Sequence, residues 1–188
     1  MKKALKATQD KLPCSRITCY IALGSNLDNP DKQISQALVN LAALPQSKLI
    51  KTALWYSSHA IGPGVQNDYI NTVVQLDTDL SASALLQELQ QIENLQGRVR
   101  SLLNAPRTLD LDILLYGNQV INTTDLTIPH PRLTLRNFVV YPLHYLTPDL
   151  QLPAHYNDEG KYVQGNIKQF FLSCTGEGIS LYVNQQQL

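Results

Sequence analysis

Apolar and polar positions along the chain fall into short blocks of two periods. Residues 18–23 (TCYIAL) are almost continuously apolar and are closed by Gly24-Ser25-Asn26, a turn-forming run, which predicts a buried strand. Helical spacing follows: Ile34, Leu38 and Leu41 share one face, Asp28 or Asn29 can cap the start, Pro30 suits the first turn and Pro45 ends it. A second strand is expected within 48–57 and a third over 69–77, where Ile70, Thr72, Val74 and Leu76 alternate with Tyr69, Asn71, Val73 and Gln75. Ser81 caps a second predicted helix that runs to about Gln96, with Leu85, Leu86, Leu89 and Ile92 as its stripe and Gly97 as its stop. Residues 108–116 read as the next strand. Gly117-Asn118 then turns the chain toward a short return strand near Val120 and Ile121, and a last helix is expected to start near Arg136.

The order strand, helix, strand, strand, helix, strand is that of an α+β, ferredoxin-like split β-α-β sandwich, an antiparallel sheet covered by helices. A chain of 188 residues, 44% hydrophobic, suffices for one domain with a real core. The expected division is an N-terminal extension over 1–16, the domain over 17–155, and a C-terminal appendage over 156–188, with Pro148 and Pro153 marking the descent into a polar tail.

Charge narrows the classes of partner. Lysine plus arginine equals aspartate plus glutamate at 15 each, so no global field recruits nucleic acid or an anionic membrane. Lys2, Lys3, Lys6, Lys11 and Arg16 crowd the first 16 residues, which have no long apolar core and are not read as a secretory signal. No apolar run approaches the roughly 18 residues of a membrane span. The three cysteines, Cys14, Cys19 and Cys174, form no Cys-x-x-Cys pair, so no disulfide framework or zinc cluster is suggested. A soluble, cytoplasmic monomer is the expectation.

The run most informative about chemistry is 105–116, APRTLDLDILLY. A strand there puts Asp110 and Asp112 on one face while Leu109, Leu111 and Ile113 take the other into the core. Two carboxylates that close repel unless a cation lies between them, and magnesium is the natural hard cation for oxygen ligands. An isolated Asp-x-Asp is more often a solvated strand face. Here Arg98, Arg100 and Arg107 lie within ten residues with no intervening acid, and guanidinium forks beside a carboxylate pair suit a polyphosphate. No GxxxxGK[ST] and no kinase-type glycine loop is present, so the site is not of the Walker or protein-kinase kind.

Gly97-Arg98-x-Arg100 followed by Pro106-Arg107-Thr108-Leu109-Asp110-Leu111-Asp112 resembles the signature of the hydroxymethyldihydropterin pyrophosphokinases. Four further segments match in order: Gly24-Ser25-Asn26 after the first strand; Gly62-Pro63 before Gln66 and Tyr69-x-Asn71; Gln90 and Glu93 on the helix; and Pro129-His130 followed by Arg136 and Phe138. The resemblance covers about 20–153. It implies transfer of pyrophosphate from ATP to a hydroxymethyl-dihydropterin in folate synthesis, with two Mg2+ ions held by Asp110 and Asp112. It further implies that Arg98 and Arg107 grip the transferring phosphates. Gln90, Arg100, Ile113, Thr127, His130 and Arg136 resemble nucleotide-binding positions. Ser58, His59, Ile61, Tyr69, Asn71 and Phe138 fall where the family builds its pterin pocket. Glu93 projects toward the arginine loop, to orient an arginine or bind nucleotide. Without the resemblance, Tyr69 and Phe138 would read as core aromatics and His130 as a turn residue. Trp55 and Tyr56 are assigned to strand packing, and His144 and His155 to no site.

The match departs from the family at three places. Leu102-Leu103-Asn104-Ala105 stands where an arginine followed by an aromatic is usual on a closing loop, Pro131 follows His130 in place of a tyrosine, and Asp125 replaces an arginine. A less basic lid is expected to hold nucleotide more weakly. Two other readings are open to the sequence: a relative that keeps the pocket but not turnover, and a metal-dependent nucleic-acid enzyme, for which the neutral chain offers no basic track.

Overall fold

A computed structural model describes residues 16–61, 64–99 and 105–183. Its centre is a pair of long antiparallel strands, β1 (Ile17–Ser25) and β4 (Tyr69–Thr78), in register from Ile17 opposite Thr78 to Ser25 opposite Ile70. The strand β5 (Asp110–Tyr116) adds to the free side of β1. The outer edge of β4 is shared: β3 (Tyr56–Ser58) pairs with its first residues and β2 (Ser47–Thr52) with its last. Beyond β3 lies β10 (Ile179–Leu181), giving the order β10-β3-β4-β1-β5 with β2 on β4.

Burial is nearly continuous along these strands because each face has its own cover. On one face α1 (Pro30–Ala42) and α2 (Ala82–Leu95) bury Ile34, Leu41, Leu85, Leu89 and Ile92 against Cys19, Ile21, Leu23, Val74 and Leu76. On the other, α3 (Asn137–Leu146) lays Val139, Val140, Leu143 and Leu146 over Tyr20, Val73 and Leu115. Both stripes follow the helical period, and each fully buried aliphatic side chain contributes about 1.5–3 kcal/mol. The result is the α+β, ferredoxin-like arrangement expected from the element order. In β5, Tyr20 faces Leu115 but Ile21 faces Ile113, so Leu114 is an extra residue in the ladder, a bulge that turns both Leu114 and Leu115 to the α3 face.

The strand expected within 48–57 is two strands. The Thr72 hydroxyl donates to the Ala53 and Leu54 carbonyls at 3.2 and 3.4 Å, taking acceptors that a continuous ladder would have used. The return strand near Ile121 pairs not with β5 but with the segment after it: β6 (Ile121–Asn122) and β7 (Thr127–Ile128) form their own hairpin, closed by Thr123 and Leu126. The helix near Arg136 is α3, and it is not the last.

The described residues after Tyr156, up to 183, form further elements that pack on the sheet and on α3. The hairpin β8 (Gln151–Tyr156) and β9 (Tyr162–Asn166) leads into α4 (Ile167–Ser173), whose N-terminus carries a reciprocal Asn166/Gln169 capping box. Val163 and Ile167 are buried beneath α3, and β10 completes the sheet. A polar composition hid this because one buried residue per turn or strand suffices to anchor an element whose other faces are wet.

Candidate active site

Opposite Asp110 and Asp112 in the neighbouring strand stand Gly24 and Ala22, so beside the two carboxylates the sheet carries only a hydrogen and a methyl group. A cleft of about 640 Å³ opens there on the α3 face of the sheet. Leu109, Leu111 and Ile113 anchor the same strand in the opposite core. Arg98, Arg107, His130 and Arg136 line the cleft on the carboxylate side; Ser58, His59, Ile61, Tyr69, Asn71 and Phe138 line the rest.

The cations converge on the carboxylates. Arg98 Nη1 lies 2.7 Å from Asp110 Oδ1, and Arg107 Nη1 donates to Asp110 Oδ2 at 2.8 Å. Behind them Glu93, buried on α2, accepts the Leu111 N–H at 2.8 Å and a bond from Arg98, tying the arginine loop to the start of β5. Arg136 Nη1 and His130 Nε2 each lie 3.7 Å from Asp112 Oδ2. Desolvation, then the adjacent Asp110 carboxylate, push the Asp112 carboxyl well above the ordinary range, with Arg136 pulling it back. Burial, then Arg136 and Arg132, lower His130 to about 4. Its Nδ1 accepts the Arg132 N–H at 3.1 Å, so the neutral ring carries its proton on Nε2, toward Asp112.

At the other end, Asn71 Nδ2 donates to Ser58 Oγ at 2.9 Å and more weakly to the Tyr69 carbonyl. A side chain at Gly24 would meet Asn71 Oδ1 at 3.2 Å, so the glycine keeps that acceptor clear. The Tyr69 hydroxyl donates to the Ala105 carbonyl at 3.4 Å, and the Arg136 guanidinium lies 5.6 Å from the Phe138 ring centroid. His59 pairs with Asp68 at the exposed rim.

Some expected positions lie elsewhere. Gln90, Ile113 and Thr127 are outside this cleft, on α2, β5 and β7, and the Ile113 side chain is buried in the opposite core, so only its backbone could face a ligand. Arg100 and Leu102, Leu103 and Asn104 of the lid fall outside the described residues. Three residues to which the sequence assigns no site role belong to the site. Asn26 is buried, accepts the Arg107 N–H at 2.9 Å and donates to the Asn67 carbonyl at 3.2 Å, joining the two loops that flank the cleft. Arg132 and Asp158 line the cleft as an ion pair. Arg132 sits in the same short run as His130 and Arg136 and could have been noticed as a further cation; nothing near Asp158 in sequence marks it.

The donor set suits magnesium, which takes one or two carboxylates and leaves its other positions to water and phosphate oxygens. Two oxygen-only side chains that repel one another on one strand face fit that pattern, and no cluster of three or more metal-ligating side chains occurs among the described residues.

An antiparallel α+β sheet that presents paired carboxylates to converging guanidinium groups, beside an aromatic and amide-lined recess, defines a phosphotransferase. The chain belongs to the 7,8-dihydro-6-hydroxymethylpterin-pyrophosphokinase (HPPK) family, whose sequence model matches residues 20–148. It is 50% identical over 154 residues, 82% of this chain and 93% of the relative, to the 2-amino-4-hydroxy-6-hydroxymethyldihydropteridine pyrophosphokinase of Haemophilus influenzae. It is 44% identical over 85% of its length, and 93% of the relative, to the protein of that name from Pseudomonas aeruginosa. The fold is similar to that of the Plasmodium falciparum HPPK-DHPS crystal structure, with a TM-score of 0.62 at 13% identity, covering 84% of this chain and 44% of that one.

Proposed function

We propose that the cleft binds ATP at its arginine end and a hydroxymethyl-dihydropterin at its amide and aromatic end, and that the chain transfers pyrophosphate between them in folate synthesis. The observation that carries this reading is the convergence of Arg98, Arg107 and Arg136 on a strand bearing Asp110 and Asp112, next to a buried Asn71 with an aromatic on its own strand. In the reaction the pterin hydroxymethyl oxygen bonds to the β-phosphorus, the bond from that phosphorus to the α,β-bridging oxygen breaks, AMP leaves and the hydroxyl proton is released.

The protein's part is positioning and charge. Asp110 and Asp112 would hold Mg2+, two ions in this reading, which would supply neutralisation of the polyphosphate charge. Arg98 and Arg107, already aimed by Glu93 and Asp110, follow the charge that develops on the transferring group. His130, neutral with Nε2–H toward Asp112, and Arg136 orient nucleotide. Gln90, Ile113, through its backbone, and Thr127 extend the nucleotide side along the outer edge of β5, and Arg100 is assigned a nucleotide-binding role. Asn71, with Ser58 behind it, reads the pterin edge; Tyr69 and Phe138 contact the ring, and His59 and Ile61 form its rim. Cytoplasmic action as a monomer belongs to the same reading. No helix among the described residues is long and apolar enough to cross a membrane.

The test is release of AMP from ATP and Mg2+ with and without the pterin alcohol. AMP formation that needs the alcohol, with appearance of the pterin diphosphate, is expected. Binding of both ligands without AMP release would favour the relative that keeps the pocket but not turnover.

A further inference from the structure

The family's sequence match ends at Pro148, yet the cleft does not. The turn between β8 and β9 brings Asp158 to the same wall as Arg132, and both line the cleft beside His130 and Arg136. The turn is rigidly built: the buried Asn157 side chain accepts the backbone N–H groups of Glu159 and Lys161 at 3.0 and 2.9 Å, and the Asp158 N–H donates to the Pro131 carbonyl at 3.1 Å. The Asp158 carboxylate holds Arg132 Nε at 2.5 Å. That leaves the terminal nitrogens of the Arg132 fork without a carboxylate partner among the described residues, on a side chain that is 40% exposed at the cleft wall. The other three cleft arginines differ: Arg98 and Arg107 are committed to Asp110 and Arg136 faces Asp112.

We infer that Arg132 is a further nucleotide-binding residue, which contacts the polyphosphate through its terminal nitrogens, and that Asp158 is a positioning residue that sets its guanidinium. A guanidinium gripped at Nε by a carboxylate keeps a flat two-nitrogen edge for a phosphate, which is the bidentate use of arginine. The backbone of Arg132 also fixes the His130 tautomer, so one residue orders two groups on the nucleotide side. The β8–β9 turn thereby becomes the outer wall of the nucleotide end. This inference rests on the assignment of that end to ATP.

The experiment measures, on the full-length chain by calorimetry, the Kd of magnesium α,β-methylene-ATP and separately that of the pterin alcohol. Arg132→Gln is expected to weaken the nucleotide analogue about 10-fold, the loss of one charge-assisted contact, and to leave pterin affinity within about twofold. Arg132→Lys and Asp158→Asn are each expected to weaken it about threefold, and the Arg132→Gln/Asp158→Asn double variant to be no worse than Arg132→Gln alone, as a residue acting only through another requires. Unchanged nucleotide affinity, equal losses for both ligands, or additive losses in the double variant would overturn the assignment. Should the Gln variant fail to fold, Arg132→Lys and Asp158→Asn carry the same decision. Because these are binding constants, they remain decisive even if wild-type protein releases no AMP, an outcome that would count against the transfer reaction alone.

Discussion

At the scale of single residues, burial and the neighbouring Asp110 make the charge of Asp112 costly, which Arg136 relieves only in part and a bound cation would relieve further. Replacing either by Asn removes a charge but little volume, so circular dichroism should be unchanged while kcat falls by about 100-fold or more. Near-normal turnover in both single variants would remove them from the metal site. Asn26 is a different case, since it touches no expected ligand yet holds the Arg107 N–H and the Asn67 carbonyl while itself 1% exposed. Asn26→Ala leaves a buried donor unpaired and should cost about 1–3 kcal/mol of stability. It should also lower kcat/KM, because Arg107 and the loop before Tyr69 lose their common tether; a loss of stability with unaltered kinetics would show that Asn26 serves the fold alone.

At the scale of elements, β10 and the chain just before it support one wall of the cleft. Ile179 lies opposite Ser58, the His59 N–H donates to the Gly178 carbonyl at 3.0 Å, and Tyr182 stacks on Trp55 with centroids 6.2 Å apart. Deleting residues 175–188 strips β3 of its outer partner while leaving α2 and β5 untouched. The truncated protein is expected to melt several degrees lower and to bind the pterin alcohol about 3–10-fold more weakly, each lost backbone bond contributing about 1 kcal/mol. Affinity for the magnesium nucleotide analogue should stay within about twofold. Equal weakening of both ligands would mean that β10 supports the whole sheet and not the pterin wall.

For the whole molecule, two titrating groups of the cleft pull stability in opposite directions. His130 is lowered from 6.5 to about 4, so between those values the unfolded chain binds the extra proton and stability falls as pH falls. Asp112 is raised, so above its ordinary value of 3.8 the folded chain retains a proton that the unfolded chain has released, and stability is lost as pH rises until the folded carboxyl has ionised. Without metal the two partly cancel. The difference between melting temperatures with and without Mg2+ isolates Asp112 above about pH 5, because His130 is by then neutral in the folded chain and only Asp112 still holds a proton for a cation to displace. That increment should be small near pH 5, grow through neutrality and level off by about pH 8, and Asp112→Asn should flatten it. An increment independent of pH in the wild type would disconnect the metal from Asp112.

Much of this protein was legible in its chain because the signals were local. Alternation along 69–77 and 108–116, helical stripes at Ile34, Leu38 and Leu41 and at Leu85, Leu89 and Ile92, and the Ser81 cap each follow from a period or a hydrogen bond spanning a few residues, and together they specify the α+β order. The shared face of Asp110 and Asp112 is a consequence of strand geometry alone, and it sufficed to point to phosphate chemistry beside Arg98 and Arg107. What tertiary structure alone decided is everything that depends on contacts far apart in sequence. Thr72 interrupts the strand ahead of Tyr56, Glu93 reaches from α2 to aim Arg98, Asn26 clasps Arg107 from 81 residues away, and Asp158 meets Arg132 across the β8–β9 turn. None of these has a period, and a polar residue's partner is chosen by which groups burial leaves unsatisfied, a quantity that exists only once the chain has closed around it.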